Sequence, residues 1–120
     1  MKADIQQFMG LLFASRDYAH KAHLATESYA EHKALNSFYD GIVDLADSLA
    51  ESWMGRNEKK IGEIPTINVP KGEPLAVMKR LLEVVQDTRD FVSDDTVLSN
   101  IIDEIEALYS STIYKLKFLK

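Results

Sequence analysis

Arg56-Asn-Glu-Lys-Lys-Ile-Gly-Glu-Ile-Pro-Thr-Ile-Asn-Val-Pro-Lys-Gly-Glu73 is the long stretch of this sequence without helical periodicity, and its length decides how the rest is connected. Gly62, Pro65, Pro70 and Gly72 punctuate it and exclude a continuous helix, while Ile64, Ile67 and Val69 can pack as it crosses a surface. The helix expected before it has about 26 residues and is roughly 40 Å long at 1.5 Å per residue. The connector, extended, spans up to about 60 Å. It can therefore travel the length of a helical bundle and leave the helices before and after it parallel. A simple up-down bundle with a slack loop is the other topology it permits.

Working outward, four amphipathic helices at about 4–25, 29–54, 74–92 and 95–118 form a single domain over 1–120. Asp4 with Gln7, and Ser28 with Glu31, have the spacing of capping boxes that open the first two helices. The first carries Ile5, Phe8, Met9, Leu12 and Ala19 on one face. The second carries Leu35, Phe38, Ile42, Leu45, Leu49 and Trp53 and should close at Gly55, a residue suited to the left-handed C′ position. Arg56, Lys59 and Lys60 then complement the dipole at its C-terminus. Pro74 suits the first turn of the third helix, which carries Leu75, Met78, Leu81, Leu82, Val85 and Val92. Ser93, Asp94 and Asp95 break and recap the chain. The last helix follows with a regular stripe of Leu98, Ile101, Ile102, Ile105, Leu108, Tyr109, Ile113 and Leu116. Short turns within each pair make two antiparallel hairpins.

Composition narrows the function classes. The chain has 120 residues, 46% of them apolar, and a net charge of -5, which suits one well-filled core. That charge argues against a mainly electrostatic hold on nucleic acid or on an anionic membrane, and favours cations as partners. The C-terminal Lys115, Lys117 and Lys120 are too few to reverse this. Without cysteine there are no disulfides, thiolate metal sites or thiol nucleophiles. The apolar run Phe8 to Ala14 behind Lys2 is too short to span a bilayer and is closed by Arg16 and Asp17, so a cytoplasmic protein is expected.

The chemistry-bearing residues gather between His20 and Glu51. With His32 set to zero and 100° per residue, Asn36 lies near 40°, Asp47 near 60°, Asp40 near 80°, Glu51 near 100° and Asp44 near 120°. The apolar residues of the same helix cluster around roughly 220 to 320°. One helix thus has a core face and a separate histidine-carboxylate stripe. His32 and Asp47 are about 22 Å apart along the axis, too far to share a metal within one chain. If two copies of this helix pack antiparallel about Tyr39 and Asp40, His32 of one comes level with Asp47 and Glu51 of the other, giving two equivalent sites per dimer. His23 precedes the turn by about as many residues as His32 follows it, so the two imidazoles should stand at similar height. His20, one turn away, is the alternative first histidine. A solvated acidic face is the plainer reading of the same stripe. Tyr29, Tyr39, Tyr109, Tyr114 and Trp53 read as core or interface residues rather than redox relays.

The segment His23-Leu-Ala-Thr, Ser28-Tyr-Ala-Glu-His32-Lys-Ala-Leu-Asn36-Ser-Phe-Tyr-Asp40 and Asp47-Ser-Leu-Ala-Glu51 resembles the ferroxidase segment of Dps-type mini-ferritins. It is closest in style to the short Dps-like proteins of some bacteriophages, and the last helix from Ile101 looks like that family's last bundle helix. The resemblance implies an all-α, ferritin-like four-helix bundle with a long crossover between helices 2 and 3, assembled from two-fold dimers into a hollow homo-oligomer. It also implies iron (Fe2+/Fe3+) as the metal, bound and oxidised between subunits for storage or peroxide detoxification. By matching position, His32, Asp47 and Glu51 would be ligands. His20 keeps the family's spacing to His32, while His23 matches the local sequence. Asn36 stands where the family usually has aspartate, and a neutral amide is a weaker ligand for a hard cation. Leu24 replaces a frequent tryptophan, and the connector has little room for the family's short extra helix. Asp40 and Asp44 would guide iron rather than bind it tightly. The alternative is a ferritin-fold oligomeric structural or interaction protein, phage-derived and binding a host protein, with ferroxidase chemistry reduced or lost.

Overall fold

The computed structural model describes residues 4–120; Lys2 lies outside the described residues. It is all-helical, with α1 (Ile5–Ala25), α2 (Tyr29–Asn57), α3 (Pro74–Thr88) and α4 (Thr96–Phe118) packed into a bundle, and a 3₁₀ turn at Arg89–Val92. Each helix begins where the sequence supplies a cap. Asp4 accepts from the backbone N–H of Gln7 at 2.9 Å, and Ser28 from that of Glu31 at 3.2 Å. Asp95 accepts from Val97 and Leu98 at 3.1 and 3.3 Å, and Pro74 opens α3. Asp95 also takes the Arg56 guanidinium at 2.5 Å, tying the end of α2 to the start of α4 and holding the Asp95 carboxyl below its usual range.

Two helix ends differ from expectation. α2 does not close at Gly55 but runs on to Asn57, and Glu58 takes the left-handed position with φ 51°. Gly55 has open space around it, so nothing stops the helix there, and Asn57 Nδ2 donates to the carbonyl of Trp53 at 2.9 Å and satisfies one of the terminal acceptors. α3 ends at Thr88 rather than at residue 92. The Thr88 hydroxyl donates to the Val84 carbonyl at 2.6 Å, and the next residue, Arg89, is drawn toward α4. Its guanidinium pairs with Glu106 and with Asp103 at 2.7 Å, and donates to the Ser99 carbonyl at 2.9 Å. Side-chain competition for backbone acceptors and this triple anchor tighten the last turn.

The core is the set of apolar stripes that periodicity marked out. Ile5, Phe8, Met9, Leu12, Ala19, Leu35, Phe38, Ile42, Leu49, Met78, Leu81, Val85, Leu98, Ile102 and Ile105 are all buried. Tyr109 is fully buried with Phe38 edge-on to its ring, and its hydroxyl donates to Ser15 Oγ at 2.7 Å. Ser15 in turn donates to the Leu11 carbonyl, so this polar chain across the core is satisfied. Trp53 is half-buried, whereas Tyr29 and Tyr114 are exposed and take no part in the core.

α1 packs on α2 and α3, and α4 on the same two helices. The connector lies along α1. The Ile61 carbonyl accepts from Gln6 Nε2 at 2.9 Å, Pro65 and Ile67 press on Gly10, and the Gly72 carbonyl accepts from the Tyr18 hydroxyl at 3.2 Å. Ile64, Ile67 and Val69 are half-buried beneath it. Among the described residues, no helix is long and apolar enough to cross a membrane.

Candidate functional site

α1 and α2 form an antiparallel hairpin joined by Thr26, Glu27 and Ser28, with Ser28 N–H held on Thr26 Oγ1 at 3.1 Å. That tight turn brings the histidines together. His23 and His32 stack with ring centroids 4.1 Å apart, His20 stacks on Tyr39 at 4.4 Å, and His23 meets the Tyr39 edge at 5.1 Å. His23 is buried, while His20, His32 and Tyr39 are half-buried. Three imidazoles and one phenol therefore form a single column at one end of the hairpin.

Backbone acceptors fix two of the rings. His32 Nδ1–H donates to the His23 carbonyl at 2.9 Å, and His23 Nδ1–H donates to the His20 carbonyl at 3.2 Å. A carbonyl can only accept, so the proton of each neutral ring sits on Nδ1 and the lone pair on Nε2 is free. This is the outer-shell arrangement that orients metal-binding histidines. Asn36 is less available. Its Oδ1 accepts from the Tyr39 hydroxyl at 2.8 Å and its Nδ2 donates to Asp40 at 3.3 Å.

Asp47 and Glu51 are exposed near the other end of α2. With Met9, Phe13, Ala50 and Met54 they line an open cleft of about 420 Å³ beneath Ile61 to Ile64. The structure thus brings His20, His23, His32 and Asn36 together and leaves Asp47 and Glu51 apart from them. Among the described residues, no three histidine or carboxylate side chains of one chain converge as a metal site.

Two residues on this face escaped the sequence reading. Tyr39 joins the histidine column rather than serving only as packing, a role legible in its spacing seven residues after His32 on the same helix face. Arg16, four residues before His20, has its Nε buried without a hydrogen-bond partner among the described residues.

The model of a family of unknown function, DUF5856, matches residues 23–116. The chain belongs to this family. The matched span holds His23, His32, Asn36, Asp47 and Glu51 and leaves most of α1 outside it. Among curated proteins, the chain is 29% identical over 116 residues to the uncharacterized 14.6 kDa protein of the mobD-ri intergenic region of Enterobacteria phage T4, covering 96% of this chain and 88% of that protein. No solved structure matches the chain significantly.

Proposed function

We propose that this member of DUF5856 is a Dps-like mini-ferritin subunit that binds and oxidises Fe(II) at sites shared between two chains. The observation that carries this reading is the pair of backbone-locked imidazoles with free Nε2 lone pairs, His23 on α1 beside His32, which begins the α2 stripe that continues to Asp47 and Glu51. The ferritin-like topology, with one long crossover between two helical hairpins, is supported by the connector advancing along α1 from Gln6 through Gly10 to Tyr18.

A few imidazole and carboxylate ligands suit Fe(II) and leave coordination positions open. Here the iron is the substrate. His32, with His20 or His23 beside it, would hold it from one chain, and Asp47 and Glu51 of the partner subunit from the other. The carboxylates favour the Fe(III) product by charge. Two Fe(II) ions supply the two electrons that, with two protons, reduce one hydrogen peroxide to two waters. Asp40 and Asp44 would draw cations toward the site, and assembly of two-fold dimers into a hollow cage would collect the product. The chain would act in the cytoplasm.

One observation favours a second reading. The Asn36 oxygen is engaged by Tyr39 and replaces a carboxylate, which weakens the ligand set. A ferritin-fold interaction protein with little or no ferroxidase activity, working in a phage setting such as that of the T4 relative, accommodates this. Iron titration separates the two. Fe(II) bound anaerobically and then exposed to peroxide should give Fe(III) absorbance that collapses in the His32→Ala, Glu51→Ala double variant. Wild-type protein without saturable Fe(II) binding would sink the ferroxidase reading.

A further inference from the structure

Among the described residues, one face of α4 packs against nothing. With Ser111 set to zero at 100° per residue, the buried Leu98, Ile102, Ile105, Tyr109 and Leu116 lie at roughly 120 to 180°. Glu104, Ala107, Ser111, Tyr114 and Phe118 lie at roughly −60 to 20°, and all five are exposed. α4 packs on α2 and α3 through the first set, so the second points away from the bundle. Two aromatics on it are open to solvent: Tyr114 is 55% exposed and Phe118 63%, with their rings 5.6 Å apart. Burying that pair takes a surface from outside the chain. The five residues recur at alternating intervals of three and four, the repeat of a helix packed along another helix. Charge is divided along the same face, with Asp103 and Glu104 toward its start and Lys115 and Lys117 toward its end.

We propose that α4 pairs antiparallel with α4 of a second copy of the chain, about a two-fold axis near Ser110 and Ser111. Lys117 then comes level with the partner subunit's Asp103, and Lys115 stands within about one residue of the partner subunit's Glu104. A two-fold axis perpendicular to the helices keeps each flank on its own side. Lys117 and Asp103 share one flank, at roughly −120 and −80°, and Lys115 and Glu104 share the other, at roughly 40 and 20°. Each pair therefore occurs twice in the dimer. Tyr114 falls against the partner subunit's Ala107, where a small side chain leaves room for a ring, and Ser110 and Ser111 let the two backbones approach at the axis. Parallel packing would set lysine against lysine and carboxylate against carboxylate, so charge selects the antiparallel pair. The carboxylates are open to a partner. Glu104 has no ion pair among the described residues, and Asp103, beside Arg89, keeps 61% of its side chain exposed. No residue of the proposed iron site takes part, so this contact is additional to the α2 pairing.

The test uses the full chain, metal-free in chelator, so that iron plays no part. The contact is at the small end of stable interfaces, so sedimentation equilibrium should show micromolar association. Glu104→Lys and Lys115→Glu should each raise the Kd of this step at least about tenfold, and the two together should restore it to within about threefold of wild type. Both side chains lie outside the core, so below the Kd each variant should melt within about 2 °C of the wild type. Because the chain has no cysteine, the register can be read by disulfide trapping. Under diamide, Ser111→Cys near the axis should cross-link to its own mate. Asn100→Cys should not, because the same position on its mate would stand about 30 Å away. Equal cross-linking of the two, or a wild-type Kd in Glu104→Lys, overturns the inference and leaves Fe(II) binding free to stand. Association that depends on Glu104 in a protein without saturable Fe(II) binding keeps the inference and sinks the ferroxidase reading.

Discussion

Replacing Gly10 and Gly55 by alanine, one at a time, should shift stability in opposite directions, although both glycines are helical. Ala is better than Gly in a helix interior by about 0.8–1.0 kcal/mol, and somewhat less near an end. Gly55 is in the last turn of α2 with open space around it, so Gly55→Ala gains about 0.5 kcal/mol with nothing against it. At Gly10, a Cβ would meet the Pro65 carbonyl oxygen at 2.7 Å and Ile67 Cγ1 at 2.9 Å. The first of these is backbone, so it yields only if the connector shifts. Overpacking of this kind costs about 1–3 kcal/mol, which exceeds the propensity gain and leaves Gly10→Ala destabilised by roughly 1 kcal/mol.

An unfolding entropy of about 2.1 cal/mol/K per residue makes 1 kcal/mol worth about 4 °C in Tm for a chain of this length. Gly55→Ala should therefore melt about 2 °C above the wild type and Gly10→Ala about 4 °C below it. Urea midpoints at constant m would confirm that stability, not denatured-state compactness, has changed. If Gly10→Ala is as stabilising as Gly55→Ala, the connector does not press on α1, and the support for a long crossover goes with it.

Ser15→Ala should cost more than Tyr109→Phe, about 1–3 kcal/mol against about 1, because it strands the fully buried Tyr109 hydroxyl; the double variant should recover part of the loss, measured by urea unfolding as a double-mutant cycle. Alkaline titration should be staged. Burial, reinforced by the charges of Glu31 and Glu73, pushes Tyr18 up to about 12, and burial alone pushes Tyr109 well above the ordinary phenol range. The folded state thus keeps protons that the unfolded state releases from about pH 10, so this stability is intact below pH 10 and declines as pH rises toward the folded values. Phenolate absorbance followed beside circular dichroism should show Tyr109 ionising only with loss of helix; ionisation ahead of unfolding would contradict its burial.

How the fold was legible follows from where its instructions are local. Asp4, Ser28, Pro74 and Asp95 mark helix starts because a cap acts within three residues, and each was readable without tertiary information. The ends were harder. Gly55 reads as a terminus from its type, yet termination depends on what competes for the last carbonyls, and here Asn57 and the Arg56–Asp95 pair sustain two further residues. The end of α3 depends on Arg89 reaching side chains on α4, a contact between residues 10 to 17 positions apart that periodicity does not encode. At the site, the level placement of His23 and His32 followed from counting outward from the turn. Tyr39 is readable as sharing the His32 face from its spacing, but its stacking on His20 and the stranded Nε of Arg16 are not, since both depend on how closely α1 and α2 approach.

The hairpin turn is the feature that couples fold to chemistry. His32 is oriented by the carbonyl of His23, a backbone group on the other helix, so the tautomer at the site depends on the register of α1 against α2. Residues Thr26 to Ser28 set that register. A helix advances about 100° and 1.5 Å per residue, so moving His23 by one position would turn its carbonyl away from His32 Nδ1 and misalign the column on Tyr39. The carboxylate end of α2 is held differently, by the cleft that Met9 and Phe13 form beneath the connector. The two halves of the stripe therefore answer to different parts of the fold, the histidines to the register of the hairpin and the carboxylates to the cleft beneath the connector.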